Sequence, residues 1–209
     1  MKTWKIAVAV ALVMLTAASA YAKGTTKMSH DAGASKGNWT FAAQVGASVP
    51  TGDFSNDAAT GWNLGGQANY WMNPQWGFGG DVAYHANNAS DALKTLLAVS
   101  DPGAELKFST IQYGAHAIYM IPTQGGTMFP YVQGGAGEYN VKAKTTGGVA
   151  PGDVSQNKFG FNMGAGVDFH ATPTVNLGVN GTYHYISADP SALNWFGIEG
   201  RVTFKMPTK

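Results

Sequence analysis

Ten residues, W-F-G-I-E-G-R-V-T-F at 195–204, alternate between two kinds of side chain. Phe196, Ile198, Val202 and Phe204 share one parity; Trp195, Gly197, Glu199, Arg201 and Thr203 share the other. Such alternation specifies a strand with two unlike faces. The same pattern recurs along the chain, at 38–49, 62–72, 76–86, roughly 108–121, 129–141, 159–169 and 175–186. In 129–141 the parity is less clean and a bulge is expected. Each segment is about as long as a tilted strand needs to be to cross a bilayer. Their even number suits antiparallel closure. Short Pro- or Gly-rich turns at 73–75, 122–128 and 170–174 alternate with longer connections at 50–61, 87–107, 142–158 and 187–194. That rhythm, short on one rim and long on the other, predicts an all-β fold: an eight-stranded antiparallel up-and-down transmembrane β-barrel over residues 38–204. In the second long connection Leu93, Leu96 and Leu97 have helical spacing; the expectation is an apolar patch packing the loop onto the rim.

Charge decides which face meets lipid. A soluble barrel wets its outer face with Lys and Glu. Here none of the lysines falls within a segment as bounded above. The non-greasy face carries Gly, Asn, Gln, Thr and Ser instead. Glycines such as Gly77, Gly164 and Gly178 suit a narrow lumen where opposing walls crowd. The greasy face is therefore predicted to point outward. An up-and-down path then gathers Trp39, Trp76, Tyr119, Phe129, Tyr131, Phe169 and Phe204 at the short-turn rim. Trp62, Tyr84, Tyr139, Phe159, Tyr183, Tyr185 and Phe196 gather at the long-loop rim. Two aromatic belts are what two membrane interfaces select.

The lumen is predicted to hold a polar core of Asp81, Glu138, Asp168, Glu199 and Arg201, with His85, His116 and His184. Arg201 is the only arginine in the chain. A buried charge needs a partner, so Arg201 is expected within salt-bridge reach of Glu199 or of an acid on another strand. The core reads as a plug that fixes register, or as a narrow ion or small-solute path; a lumen of eight strands favours the plug.

Residues 1–22 join a basic start, a short apolar run and a small-residue end, A-Y-A. This predicts a cleavable signal peptide rather than a spanning helix. Residues 23–37 read as a flexible periplasmic tail and 205–209 as a short extension. The absence of cysteine excludes disulfides and thiolate metal sites. A net charge of +1 offers no field to recruit nucleic acid.

V-G-A-S-V-P-T-G-D-F (45–54) with T-G-W (60–62), P-Y-V-Q-G-G-A-G (130–137) and G-R-V-T-F (200–204) resemble the small outer-membrane β-barrel family, of the OmpA transmembrane-domain and OmpX type. The resemblance implies a Gram-negative outer-membrane location. It also implies that the terminal strand, ending at Phe204, is read by the outer-membrane assembly machinery. K-M-P-T-K follows that aromatic here, and the peptidoglycan-binding module of full-length OmpA is expected to be absent.

No metal or phosphate-loop motif is expected, because the histidines are scattered. His184, Ser187 and Glu199 are similar to the residues of outer-membrane lipid A deacylases. H-Y-I-S-A departs from that family's His-x-Ser-Asn, and one residue of slip reverses the face of a strand. The expected function is thus non-enzymatic and cofactor-free: an envelope-structural or surface-interaction role through long loops. A narrow pore is the alternative, and a deacylase-like hydrolase the least favoured reading. The expected partners are outer-membrane lipid, lipopolysaccharide and the assembly machinery. The extracellular partner is not specified, and a monomer is expected.

Overall fold

The computed structural model describes residues 36–123, 127–188 and 192–206. The expected signal peptide, residues 23–35 of the tail and residues 207–209 lie outside the described residues. Eight strands form the wall: β1 (Trp39–Thr51), β2 (Gly61–Trp71), β3 (Trp76–Asn88), β4 (Glu105–Met120), β5 (Met128–Thr146), β6 (Gly152–Thr172), β7 (Val175–Ile186) and β8 (Leu193–Lys205). Each pairs antiparallel with its sequence neighbour, and β8 closes on β1. The hydrogen-bonded rung through Phe41, Ala68, Gly80, Ala115, Ala136, Phe161, Tyr185 and Asn194 returns to β1 at Thr51. From 41 to 51 is a stagger of ten residues (51 − 41). Such a stagger tilts the strands and lets eight of them close around packed side chains.

Two helices sit on the long-connection rim: α1 (Phe54–Asp57) and α2 (Asp91–Ser100). The Ser90 side chain caps α2 by accepting the Leu93 N–H, and Asp91 lies in its first turn, where the helix dipole favours an acid. The expected packing of this loop's leucines onto the rim is found only in part. Leu93 and Leu97 are half-buried, while Leu96 and Val99 are 66% and 82% exposed. The loop is held by polar groups at the helix ends, and its apolar face is only partly covered.

The connection expected at 142–158 is an extension of the wall. β5 and β6 pair without a break up to Thr145 and Gly152. They turn through Gly147 and Gly148, whose φ values of +72° and +63° suit glycine. Lys107, Lys142, Lys144 and Lys158 therefore lie in strands, and Lys205 ends β8. Lysine excludes a strand from lipid, not from the sheet; these strands continue past the membrane into water. The bulge expected in 129–141 is absent. Among the described residues the one register shift lies between His170 and Thr172, on the β6–β7 pair.

The outer face is apolar. Trp39, Trp76, Phe169 and Phe204 are exposed near one end; Trp62, Tyr84 and Tyr185 are exposed near the other. Tyr119, Tyr183 and Phe196 share this outward parity and are half-buried. Between the two girdles each strand turns a small residue outward: Ala43, Gly66, Gly80, Ala115, Gly134, Ala165, Gly181 and Gly200. The barrel thus has a smooth waist. Glycine marks both faces of the wall, not the lumen alone.

Candidate functional site

The lumen is filled by side chains that the inward parity of each strand delivers. Arg201 on β8 is 3% exposed. Its Nη1 donates to the Tyr131 hydroxyl at 2.8 Å, and its guanidinium carbon lies 4.8 Å from the centre of that ring. Its Nε donates to Thr203 Oγ1 at 3.1 Å, and Thr203 Oγ1 donates to Asp168 Oδ2 at 2.9 Å. Arg201 Nε and Asp168 Oδ1 are 3.9 Å apart. The acid within reach is thus Asp168, on β6. Glu199 accepts instead from Asn63 Nδ2 at 3.1 Å and Asn180 Nδ2 at 3.2 Å. Tyr131 lies directly across from Gly166, and Asp168 from Gly178. A Cβ at either glycine would collide with the large partner, so the glycines make room for the network.

A second cluster surrounds Asp81 on β3. Its Oδ1 is 2.9 Å from His116 Nδ1, and Gln112 Nε2 donates to its Oδ2. His116 Nε2 lies 2.6 Å from Asn69 Oδ1. Higher up, the His184 ring stacks 4.9 Å from Trp195 and meets the His85 ring edge-on at 5.0 Å. A cavity of about 10 Å³ lined by Gln44, Gln67, Asp81, Gln112 and Gln133 lies among these groups. That is about the space one water needs.

Apolar corks close both ends. Towards the short turns, Trp71, Ile118, Met120, Phe129 and Tyr131 form one buried cluster. Towards the long connections, Phe54, Ala58, Tyr139, Ile186 and Trp195 form the other, with Phe108, Val141 and Leu193 against it. Phe129, Tyr131 and Tyr139, expected in the aromatic belts, therefore belong to the lumen. The expectation placed these three by their height along the strand and not by parity, whereas the cork needs aromatics too. Trp195 and Trp71 carried a usable signal, since each sits on the polar parity of its strand.

Glu138 is a further correction. On β5 the inward parity is Tyr131, Gln133, Gly135, Gly137 and Tyr139, so Glu138 faces outward. It pairs across the sheet with Tyr113 and Phe159 and hydrogen-bonds the exposed Tyr113 side chain. Its neighbours place it in the upper aromatic girdle, where headgroups and water solvate a carboxylate.

The outer face of β4, β5 and β6 changes character above Glu138. Asn140 lies opposite Asn157, and Lys142 lies between Ser109 and Ser155. Lys144 lies between Lys107 and Asp153. Lys142 forms an ion pair with Asp153, and Lys107 with Glu105 at 3.3 Å. The hydrogen bond and charge of Lys142, with a further contribution from Lys144, hold the Asp153 carboxyl below the usual aspartate range. The hairpin tip is tied to the end of α2, because the Val149 N–H donates to Asp101 Oδ1 at 2.8 Å.

The groups of the weighed hydrolase arrangement are engaged elsewhere. His184 packs among Tyr139, His85 and Trp195, and Glu199 is held by two asparagines. Among the described residues no group of three or more His, Cys, Asp or Glu is placed to hold a metal ion.

The family model for the outer membrane protein beta-barrel domain matches residues 7–204. No curated protein matches the chain. Among solved structures, Neisserial surface protein A is similar with a TM-score of 0.59 and 21% identity, over 82% of this chain and 98% of that one. The attachment invasion locus protein Ail of Yersinia pestis, in complex with the heparin analogue sucrose octasulfate, is similar with a TM-score of 0.50 and 18% identity, over 81% and 99%. A major outer membrane protein of Thermus thermophilus gives 0.50 and 12%, over 79% and 98%. At these identities the likeness is one of fold.

Proposed function

The chain belongs to the outer membrane protein beta-barrel family, and from that premise we propose that it is a non-enzymatic barrel with a plugged lumen that works through its extracellular rim. The observation that carries the reading is the pair of apolar corks with a hydrogen-bonded polar network between them. An ion crossing this lumen has to displace buried aromatics at both ends and break a paired arginine. That favours the plug over the pore. The rim, by contrast, offers exposed backbone and side chains on α2 and on the β5–β6 hairpin, and recognition concentrates on such projecting segments. In this reading residues 1–22 are removed on export, Phe204 belongs to the strand that the assembly machinery reads, and the barrel is a monomer surrounded by lipid and lipopolysaccharide.

The test is a planar-bilayer recording of refolded mature protein whose folding is first checked by heat-dependent gel mobility. Silent bilayers are expected from the wild type. Discrete conductance steps that change in Arg201→Ala overturn the plug and bring the pore reading forward.

A further inference from the structure

We propose that the small chamber inside the lumen, between the two corks, holds one monovalent metal cation of the sodium or potassium class, bound by side-chain amide oxygens and the Asp81 carboxylate. The inference goes beyond the plugged-barrel reading: the plug contains an ion and does not conduct it.

Oxygen-bearing side chains surround this space. Gln44, Gln67, Asp81, Gln112, Gln133 and Asn162, one from each of β1 to β6, line its roughly 10 Å³. Gln67, Gln112, Gln133 and Asn162 are all buried, and Gln67 lies directly opposite Asp81. The amide N–H groups are already committed. Gln112 Nε2 donates to Asp81 Oδ2, Gln67 Nε2 to Gln133 Oε1 at 3.4 Å, and Asn162 Nδ2 to the Tyr139 hydroxyl at 3.5 Å. The oxygens are what is left over. Gln44 Oε1 and Gln67 Oε1 are buried and have no hydrogen-bond partner among the described residues. Gln112 Oε1 has no well-aligned partner either, with the His85 ring beside it. Turning Gln112 round would set its carbonyl against the Asp81 carboxylate, so charge fixes its orientation.

These carbonyls and the carboxylate make the chamber rich in acceptors and poor in donors. A single water has two protons to give, too few for the set. A proton on His116, whose Nδ1 lies 2.9 Å from Asp81 Oδ1, would neutralise the carboxylate but does nothing for the amides. A hard cation answers both, because carboxylates and the carbonyls of asparagine and glutamine are its ordinary ligands. Charge selects the valence. Among the described residues Asp81 is the only acid lining the chamber, and Arg201 is engaged by Asp168. With neutral imidazoles, one positive charge brings the sum to zero, whereas a divalent ion leaves an uncompensated charge in a buried site. Magnesium, which keeps several of its waters, has no room for them here. The corks close both ends, so the ion enters as the barrel closes and is then retained.

The experiment refolds the mature chain from urea into vesicles in sodium, potassium or N-methylglucamine chloride at equal ionic strength, and then follows urea unfolding in each salt. At about 100 mM salt the wild type is expected to have a folded-to-unfolded ratio about tenfold or more higher in sodium or potassium than in N-methylglucamine, as for a site with a dissociation constant of about 10 mM or below. Gln67→Met and, separately, Gln44→Met each remove one carbonyl at similar size and should cut that difference to about threefold or less. Gln67→Glu keeps an oxygen at the same place and should retain it. The readout is the difference between salts, so a change in overall stability does not mimic it. An equal ratio in all three salts overturns the proposal and leaves an ordered water in the chamber. So does a full salt difference in both methionine variants, which puts the ion elsewhere, or a response to calcium alone, which breaks the charge argument. Bilayer recordings report the plug separately: silence without a salt difference sinks the ion site and keeps the plug, while conductance steps sink the plug whichever way the salts divide.

Discussion

The two corks seal the same lumen by different means. The lower one is drawn wholly from the wall: Trp71 from β2, Ile118 and Met120 from β4, Phe129 and Tyr131 from β5. Its Trp71 indole donates to Thr40 Oγ1 on β1 at 3.1 Å, and Arg201 on β8 reaches it through Tyr131. The upper cork borrows Phe54 and Ala58 from the connection around α1 and sets them against Trp195, Tyr139 and Ile186. A cork built from strands cannot move without the wall. A cork partly built from a loop can loosen by local opening, because only the loop's own contacts must break. Stability is therefore concentrated at the short-turn end and adaptability at the long-loop end.

The difference can be tested by comparing the two ends. Trp71→Ala is expected to lower unfolding stability by about 3–5 kcal/mol, as large aromatic truncations in packed cores do. Chemical denaturation of the barrel in vesicles reads this as a lower midpoint. Phe54→Ala, although its side chain is buried to a similar extent, should lower stability by only about 1–2 kcal/mol, while protease cleavage near α1 accelerates. Equal losses at the two positions break the comparison. The smallest effect lies beyond the upper cork. Because Lys142 lowers the Asp153 pKa, their contact stabilises the hairpin above the ordinary aspartate range. It is lost as pH falls through the depressed value. Lys142→Ala should move the Asp153 titration, followed by carboxyl NMR, upward toward the usual aspartate value and leave the unfolding midpoint of the wall unchanged. A shift in that midpoint would show the hairpin to be part of the stable unit.

The wall and its two faces are legible in the sequence because alternation is a local property. Asp81, Asp168, Glu199, Arg201 and His116 all lie on inward parities. Glu138 misleads because its charge suggests the phase of its segment, whereas Tyr131, Gly137 and Tyr139 share the parity that β5 turns inward. The extension of β5 and β6 is hidden for a related reason: lysine reports where lipid ends, and strand and membrane do not share one boundary. The waist is hidden because glycine fits both a crowded lumen and a smooth outer wall. Sequence narrows the partner of Arg201 to Glu199 or an acid on another strand. The choice of Asp168 depends on Thr203 standing between them, a contact made across Gly178 of β7, which lies opposite both Asp168 and Arg201 in the closed ring.

That ring has a consequence for the order in which the chain is made. β1 is among the first parts of the wall to leave the ribosome and β8 is the last, yet the two are neighbours. Until residues 193–205 arrive, both β1 and β7 are bare edges, and hydrocarbon has no water to satisfy an unpaired N–H or C=O. No shortened version of the wall is tolerable in a bilayer. Inheritance can lengthen, trim or rewrite the parts above the girdle one residue at a time, whereas the wall has to be kept whole.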